Sequence, residues 1–339
     1  MNVIDLHAKV WSGLQARRGK LPHSLLLVGQ KGLGKFELAR RFAASLLCES
    51  PTIDGLPCDK CLACNWFEQG NHPDFRLLQP DAFSDEAVAE DGKKKPSQQI
   101  IIDQVRALDE FFNIGTHRGG LRIILVNPTE SMNRNAANSL LKTLEEPAPD
   151  TLFLMVSSEP MRLLPTIRSR CQVVPVPVPA TKLAHKFLAD AGVSEPERWL
   201  AMAGGAPGLA IEMAASGQGA WLALLTNRIA LGQKADPLTI AAEMEKALKD
   251  SKGKLALKHI VEALQKWLVD LTLARNALPV RYFLPQQSII SGLAAMIPPA
   301  RLIHLYRALI TRRQEAEQPL NARLFLEGIL LDYRDLFAN

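Results

Sequence analysis

Two groups of residues in this 339-residue chain have types and spacing that could do chemistry. The first is Gly29-Gln30-Lys31-Gly32-Leu33-Gly34-Lys35-Phe36, directly after the apolar run Ser24-Leu25-Leu26-Leu27-Val28. A strand, a glycine-rich turn and a lysine form the layout of a phosphate loop, G-x-x-x-x-G-K-[ST]. A helix beginning there aims free N–H groups and a positive dipole end at an anion, and Lys35 adds a charge for phosphate oxygens. Two parts that hydrolysis needs are missing. The final hydroxyl, which should ligate Mg²⁺, is replaced by Phe36. An acidic pair at the end of a neighbouring strand should bind Mg²⁺ and polarise water. After the strand Ile123–Val126 stands Asn127-Pro128 instead, with Glu130 the nearest carboxylate, beyond the proline. The expectation is weak ATP or ADP binding through Gly29, Gly32, Gly34 and Lys35, with no Mg²⁺-dependent turnover. Glycine-rich strand-to-helix turns also occur in α/β proteins that bind nothing there.

The second group is Cys58-x-x-Cys61-x-x-Cys64, with Cys48 upstream at the end of a helix. In a reducing compartment such a cluster binds metal more often than it forms disulfides. Four thiolates complete a tetrahedral zinc shell, and a closed shell is structural. The same run occurs in iron–sulfur proteins, but no further cluster motif accompanies it, so zinc is the expectation. His72 is a rival ligand by proximity, although Gly70-Asn71-His72-Pro73-Asp74 reads as a turn. Cys171 stands alone and reads as a small buried hydrophobe. A third candidate is Arg170, in Arg168-Ser169-Arg170-Cys171 after the turn Leu163-Leu164-Pro165-Thr166. A guanidinium there could reach a phosphate on an adjacent subunit; spacing alone does not separate that from an ordinary surface arginine.

These residues need a scaffold. Hydrophobic residues make up 47% of the chain and the net charge is +5, too mild and too dispersed to argue for a nucleic-acid binder. No apolar stretch reaches the length of a membrane span, and Met1–Lys9 lacks the layout of a signal peptide, so a cytoplasmic protein with no membrane partner is expected. Phe75–Leu78, Arg122–Val126, Leu152–Val156 and Gln172–Val176 read as further strands; Arg122–Val126 shows no alternation and Leu152–Val156 is likewise a buried run, as in a parallel sheet covered on both faces. Helices are expected over 36–44, from Asp103 as an N-cap, and over 133–146. Residues 81–98, with Lys93-Lys94-Lys95, read as a solvated loop. Beyond residue 180 the strand signal fades, and 181–191, 196–203, 255–273, 302–312 and 322–337 read as helices. The fold class is α/β plus all-α. Residues 1–176 form a phosphate-loop domain with a metal module at 48–64, residues 177–215 a small helical lid, and residues 216–339 an all-helical domain.

Asn138-Ser139-Leu140-Leu141-Lys142-Thr143-Leu144-Glu145-Glu146-Pro147 resembles the signature of bacterial DNA polymerase III clamp-loader subunits of the AAA+ class. Ser169-Arg170-Cys171 resembles that family's SRC motif, Leu21-Pro22-His23 its approach to the first strand, and Leu320-Asn321-Ala322-Arg323-Leu324 its last helix. The four cysteines match its zinc module. The resemblance implies an AAA+ domain, a lid and a helical collar that holds a ring of subunits. It implies that Arg170 acts as an arginine finger in trans on a neighbouring gamma/tau motor subunit. Its implied partners are gamma/tau, the delta subunit and, indirectly, the sliding clamp and primer-template DNA. Phe36, Asn127 and Pro128, and Ala206-Pro207-Gly208 where a motor carries a second sensing arginine, resemble the family's non-hydrolysing stator. An ATP-hydrolysing motor-type subunit is the alternative, and a stand-alone zinc-dependent nucleic-acid binder is a weaker third.

Overall fold

A computed structural model of the chain describes residues 1–83, 96–113, 120–217, 219–253 and 255–338. Its contacts divide the chain into two compact units, Met1–Leu183 and Ala184–Asn339.

The first unit opens with two short helices, α1 (Val3–Leu6) and α2 (Ala8–Gln15), before strand β1 (Ser24–Val28). The phosphate loop leads into α3 (Lys35–Leu47), and the cysteine segment into α4 (Leu62–Glu68). There follow β2 (Phe75–Leu78), α5 (Ile102–Asn113), β3 (Arg122–Val126), α6 (Arg134–Glu145), β4 (Thr151–Ser157), α7 (Pro165–Ser169) and β5 (Gln172–Pro175). The five strands form one parallel sheet in the order β2-β3-β4-β1-β5. Ser24 of β1 is in register with Phe153 of β4, and Leu25 with Gln172 of β5. Every residue of β3 and β4 is buried, which is why these segments show no polar alternation. Pro175 lies on the edge strand, where a missing N–H costs least. Leu25, Leu26 and Leu27 are fully buried, each contributing roughly 1.5–3 kcal/mol of transfer free energy.

Helix α3 buries Leu38, Ala39, Phe42 and Ala43. Trp11 of α2 packs edge-on against Phe42, with ring centroids 6.2 Å apart, and its indole N–H donates to Asp54 O at 3.1 Å. Helix α5 starts at Ile102, so Asp103 lies in its first turn instead of capping it; the carboxylate still faces the positive helix end, and Gln104 Oε1 accepts the Ile101 N–H at 3.0 Å. The segment read as a turn at 163–166 is in part helix, because Pro165 occupies the first position of α7 with its φ already set. In the loop 81–98, Asp81–Phe83 form one 3-10 turn; Lys93, Lys94 and Lys95 lie outside the described residues.

The helices after β5 are α8 (Thr181–Asp190), in which the division between the units falls, α9 (Pro196–Met202), α10 (Pro207–Ala215), α11 (Gly219–Ile229), α12 (Pro237–Asp250), α13 (Leu257–Arg275), α14 (Gln287–Met296), α15 (Pro299–Glu315) and α16 (Ala322–Asp335). One buried cluster runs from Ala184 and Leu188 through Trp199, Trp221 and Trp267 to Tyr333 and Phe337. Segment 184–215, read above as a lid, therefore shares an apolar core with the helices that follow. Trp267 Nε1 donates to Tyr333 Oη at 3.0 Å, and Tyr333 Oη to Ile229 O at 2.8 Å, so these two buried polar groups satisfy each other. Asp270, fully buried, accepts the backbone N–H groups of Arg281, Tyr282 and Phe283 at 2.7–3.2 Å. Among the described residues, no single helix is long and apolar enough to cross a membrane.

Candidate phosphate loop, metal site and arginine

The structure brings Gly29, Gly32, Gly34 and Lys35 together in one turn between β1 and α3. Gly32 and Gly34 take φ of +82° and +77°, a region costly to residues with a Cβ. A Cβ at Gly34 would lie 2.5 Å from Val3 Cγ2 of α1, and one at Gly29 only 2.4 Å from Val176 O. Backbone conformation and packing thus account for each of these glycines without a nucleotide. His7 Nε2 donates to Leu33 O at 2.7 Å, so the segment from α1 to α2 closes over the loop; burial lowers the His7 pKa, which favours the neutral ring.

Lys35 is 4% exposed. Its ammonium donates to Gln30 O at 2.8 Å and to Ser158 Oγ at 3.0 Å. Burial pulls its pKa from the usual 10.5 to about 8, opposed by the charge of Glu130. Glu130 Oε1 accepts the Ser158 N–H at 2.9 Å, and its Oε2 is buried without a hydrogen-bond partner. Ser158, immediately after β4, and Glu130 thus form a polar group with Lys35 that motif matching missed. One signal was available. A strand beside β1 ends at the lip of the loop, and two serines, Ser157 and Ser158, stand at the end of β4. Phe36, in the first turn of α3, brings no oxygen.

The Sγ atoms of Cys48, Cys58, Cys61 and Cys64 all lie within 4.8 Å of one another. Cys48 is 3.9 Å from Cys61, and Cys58 is 4.0 Å from Cys64. A tetrahedron with metal–sulfur bonds of ~2.3 Å has edges of about 3.8 Å, so the cluster fits a metal ion. Backbone N–H groups support it. Cys58 N donates to Cys48 Sγ, Cys61 N to Cys58 Sγ and Cys64 N to Cys61 Sγ, at 3.3–3.4 Å. The N–H groups of Lys60 and Cys61 lower the Cys58 thiol to about 6, whereas burial raises Cys48 and Cys64. A bound cation would favour all four thiolates. Cys48 ends α3, and Cys61 caps α4 by accepting the Cys64 N–H. His72 is outside this cluster, and its Nδ1 accepts the Asp74 N–H at 3.1 Å. Cys171 is buried and accepts from Ser24 Oγ at 3.1 Å, as a core residue.

Arg170 follows α7, with its side chain 33% exposed. Its Nη1 donates to Thr166 O at 2.9 Å and its Nη2 to Glu145 Oε1 at 2.5 Å. It lies apart from Lys35 in its contacts, and no described hydrogen bond joins the two.

Residues 7–179, just over half of the chain, match the family described as DNA polymerase III, delta subunit. The chain belongs to that family. DNA polymerase III subunit delta′ of Pseudomonas aeruginosa is 42% identical over 202 residues, covering 58% of this chain and 57% of that one. The delta′ subunit of Bacillus subtilis is 37% identical over 158 residues, 47% of this chain and 43% of that one. Similarity extends to DNA polymerase III subunit tau of Escherichia coli, 33% identical over 153 residues, 45% of this chain and 21% of that one. The matches span about half the length of the delta′ relatives. In this member of the delta-subunit family the parallel sheet carries the phosphate loop, and the expected fold class, α/β plus all-α, is the one observed.

Proposed function

We propose that the chain is the delta-prime subunit of a bacterial DNA polymerase III clamp loader, a stator that hydrolyses no ATP itself. It helps load the sliding clamp onto primed DNA and supplies Arg170 to the ATP site of a neighbouring gamma/tau motor subunit. The observation that carries the non-hydrolysing reading is the internal use of Lys35: a 4% exposed ammonium bonded to Gln30 and Ser158, beside a helix whose next residue is Phe36. Nucleotide must displace those contacts and would bring its phosphates near Glu130, and Phe36 offers no hydroxyl for Mg²⁺ at the end of the loop. Binding of ATP or ADP is therefore weak. The delta subunit and the motor subunits are the direct partners, held through the helices after residue 216, and the compartment is the cytoplasm. Cys48, Cys58, Cys61 and Cys64 would hold zinc as a closed structural site, whose contribution is to folding.

Arg170 would stabilise charge that develops on the transferred phosphate, an effect worth ~10³–10⁵ in rate in other nucleotidases. The test has two arms. The pure chain, with and without Mg²⁺, should release no phosphate from ATP; robust Mg²⁺-dependent release returns the reading to a motor-type subunit. In the reconstituted complex, Arg170→Ala should leave assembly intact and cut clamp- and DNA-stimulated ATP hydrolysis; unchanged turnover removes the finger.

A further inference from the structure

We infer that Glu145 is a positioning residue for Arg170: its carboxylate aims the guanidinium at the phosphate that the arginine serves. This rests on the reading of Arg170 as a finger. Glu145 is the last residue of α6 and Arg170 follows α7, so the contact joins the ends of two helices, 25 residues apart in sequence. The two terminal nitrogens of Arg170 are each held by a different acceptor. Nη1 donates to Thr166 O at 2.9 Å and Nη2 to Glu145 Oε1 at 2.5 Å. A guanidinium has five N–H groups, so the Nε–H and one N–H on each terminal nitrogen are left for a phosphate.

Stability does not explain this placement. The two side chains are 33% and 49% exposed, and ion pairs at that exposure add little. A carboxylate at the C-terminal end of a helix also opposes the dipole there. Orientation does explain it. An arginine side chain that must be ordered when the phosphate arrives loses rotamer freedom at that moment, and one already held between two acceptors does not. Thr166 O fixes one corner of the planar fork and Glu145 the other, which sets the plane as well as the place of the charge.

The complex would be reconstituted with the chain carrying Glu145→Gln, Arg170→Ala or both, and its DNA-stimulated ATP hydrolysis measured across ATP concentrations. Glu145→Gln keeps the shape of the side chain and removes its charge. It should lower kcat by ~10-fold with KM for ATP unchanged, the scale expected when a positioned group is loosened. In the Arg170→Ala background it should have no further effect, and Glu145→Asp should recover part of the loss. Melting of each free variant should stay near that of the parent chain. If Arg170→Ala lowers turnover and Glu145→Gln does not, the positioning role is overturned and the finger stands. If Glu145→Gln lowers turnover equally with and without Arg170, it acts by another route and the inference fails. If Arg170→Ala itself has no effect, the finger reading falls and takes this one with it.

Discussion

Helix α3 has a different kind of site at each end. At its C-terminal end, four sulfurs face a common point, and backbone N–H groups turn toward three of them. At its N-terminal end, the lysine that should face a phosphate is bonded to the protein. Lys35 is held by Gln30 and Ser158, Leu33 O takes a hydrogen bond from His7, and Val3 lies against Gly34. Both motifs are nearly complete as sequence. What separates them is convergence: the four sulfurs meet at one place, whereas the Lys35 ammonium is already bonded within the protein.

The largest expected effect belongs to the cysteine end. Cys58→Ser with Cys61→Ser should reduce metal content from about one zinc per chain to none and lower the melting temperature by at least ~10 °C, since metal binding to such sites is folding free energy. A metal-free parent chain of equal stability would erase the contrast between the two ends. Next, Gly29→Ala should destabilise by about 1–3 kcal/mol in urea unfolding, because its Cβ would enter the backbone of Val176. That loss should appear with no nucleotide present, which marks the glycine as a packing requirement.

Lys35→Met should stabilise the chain, by about 1–2 kcal/mol at pH 7, after the loss of two hydrogen bonds is set against the relief of a buried charge. The sign follows from its lowered pKa. Between about 8 and 10.5 the unfolded chain holds a proton on this lysine that the folded chain has released. The contribution of Lys35 to stability therefore rises with pH across that window, and the penalty is fully present below it. Lys35→Met should flatten that slope. The smallest effect is that of nucleotide: about 1 mM ATP with Mg²⁺ should raise the melting temperature of the parent chain by less than ~1 °C. A shift of several degrees, abolished by Lys35→Met, would make the loop a live site and remove the difference between the two ends of α3.

Much of the scaffold could be read from residue patterns, because buried parallel strands leave long apolar runs. The runs at 24–28, 75–78 and 122–126 coincide with β1, β2 and β3, and 152–156 falls inside β4. The cysteine spacing likewise led to a cluster that the fold brings together. Helix ends were less legible. Asp103 looked like a cap and lies inside α5, and 302–312 extends to Pro299–Glu315, since packing against other helices lengthens an element past its most periodic stretch. The partners of the site residues were not legible at all. Ser158 reaches Lys35 across 123 residues and Glu145 reaches Arg170 across 25, pairings that only the sheet order and helix placement create.

Trp11 touches both sides of this arrangement. Its ring rests on Phe42, in the middle of α3, while its N–H holds Asp54 O just ahead of the cysteines. Helix α3 is 13 residues long, about 20 Å of stiff rod, so a tilt at Cys48, were metal held there and removed by a chelator, would be carried to Lys35. The chain holds five tryptophans, so the optical gauge of that tilt is a difference: the emission of the parent chain less that of Trp11→Phe should register the state of the thiols and of the loop together.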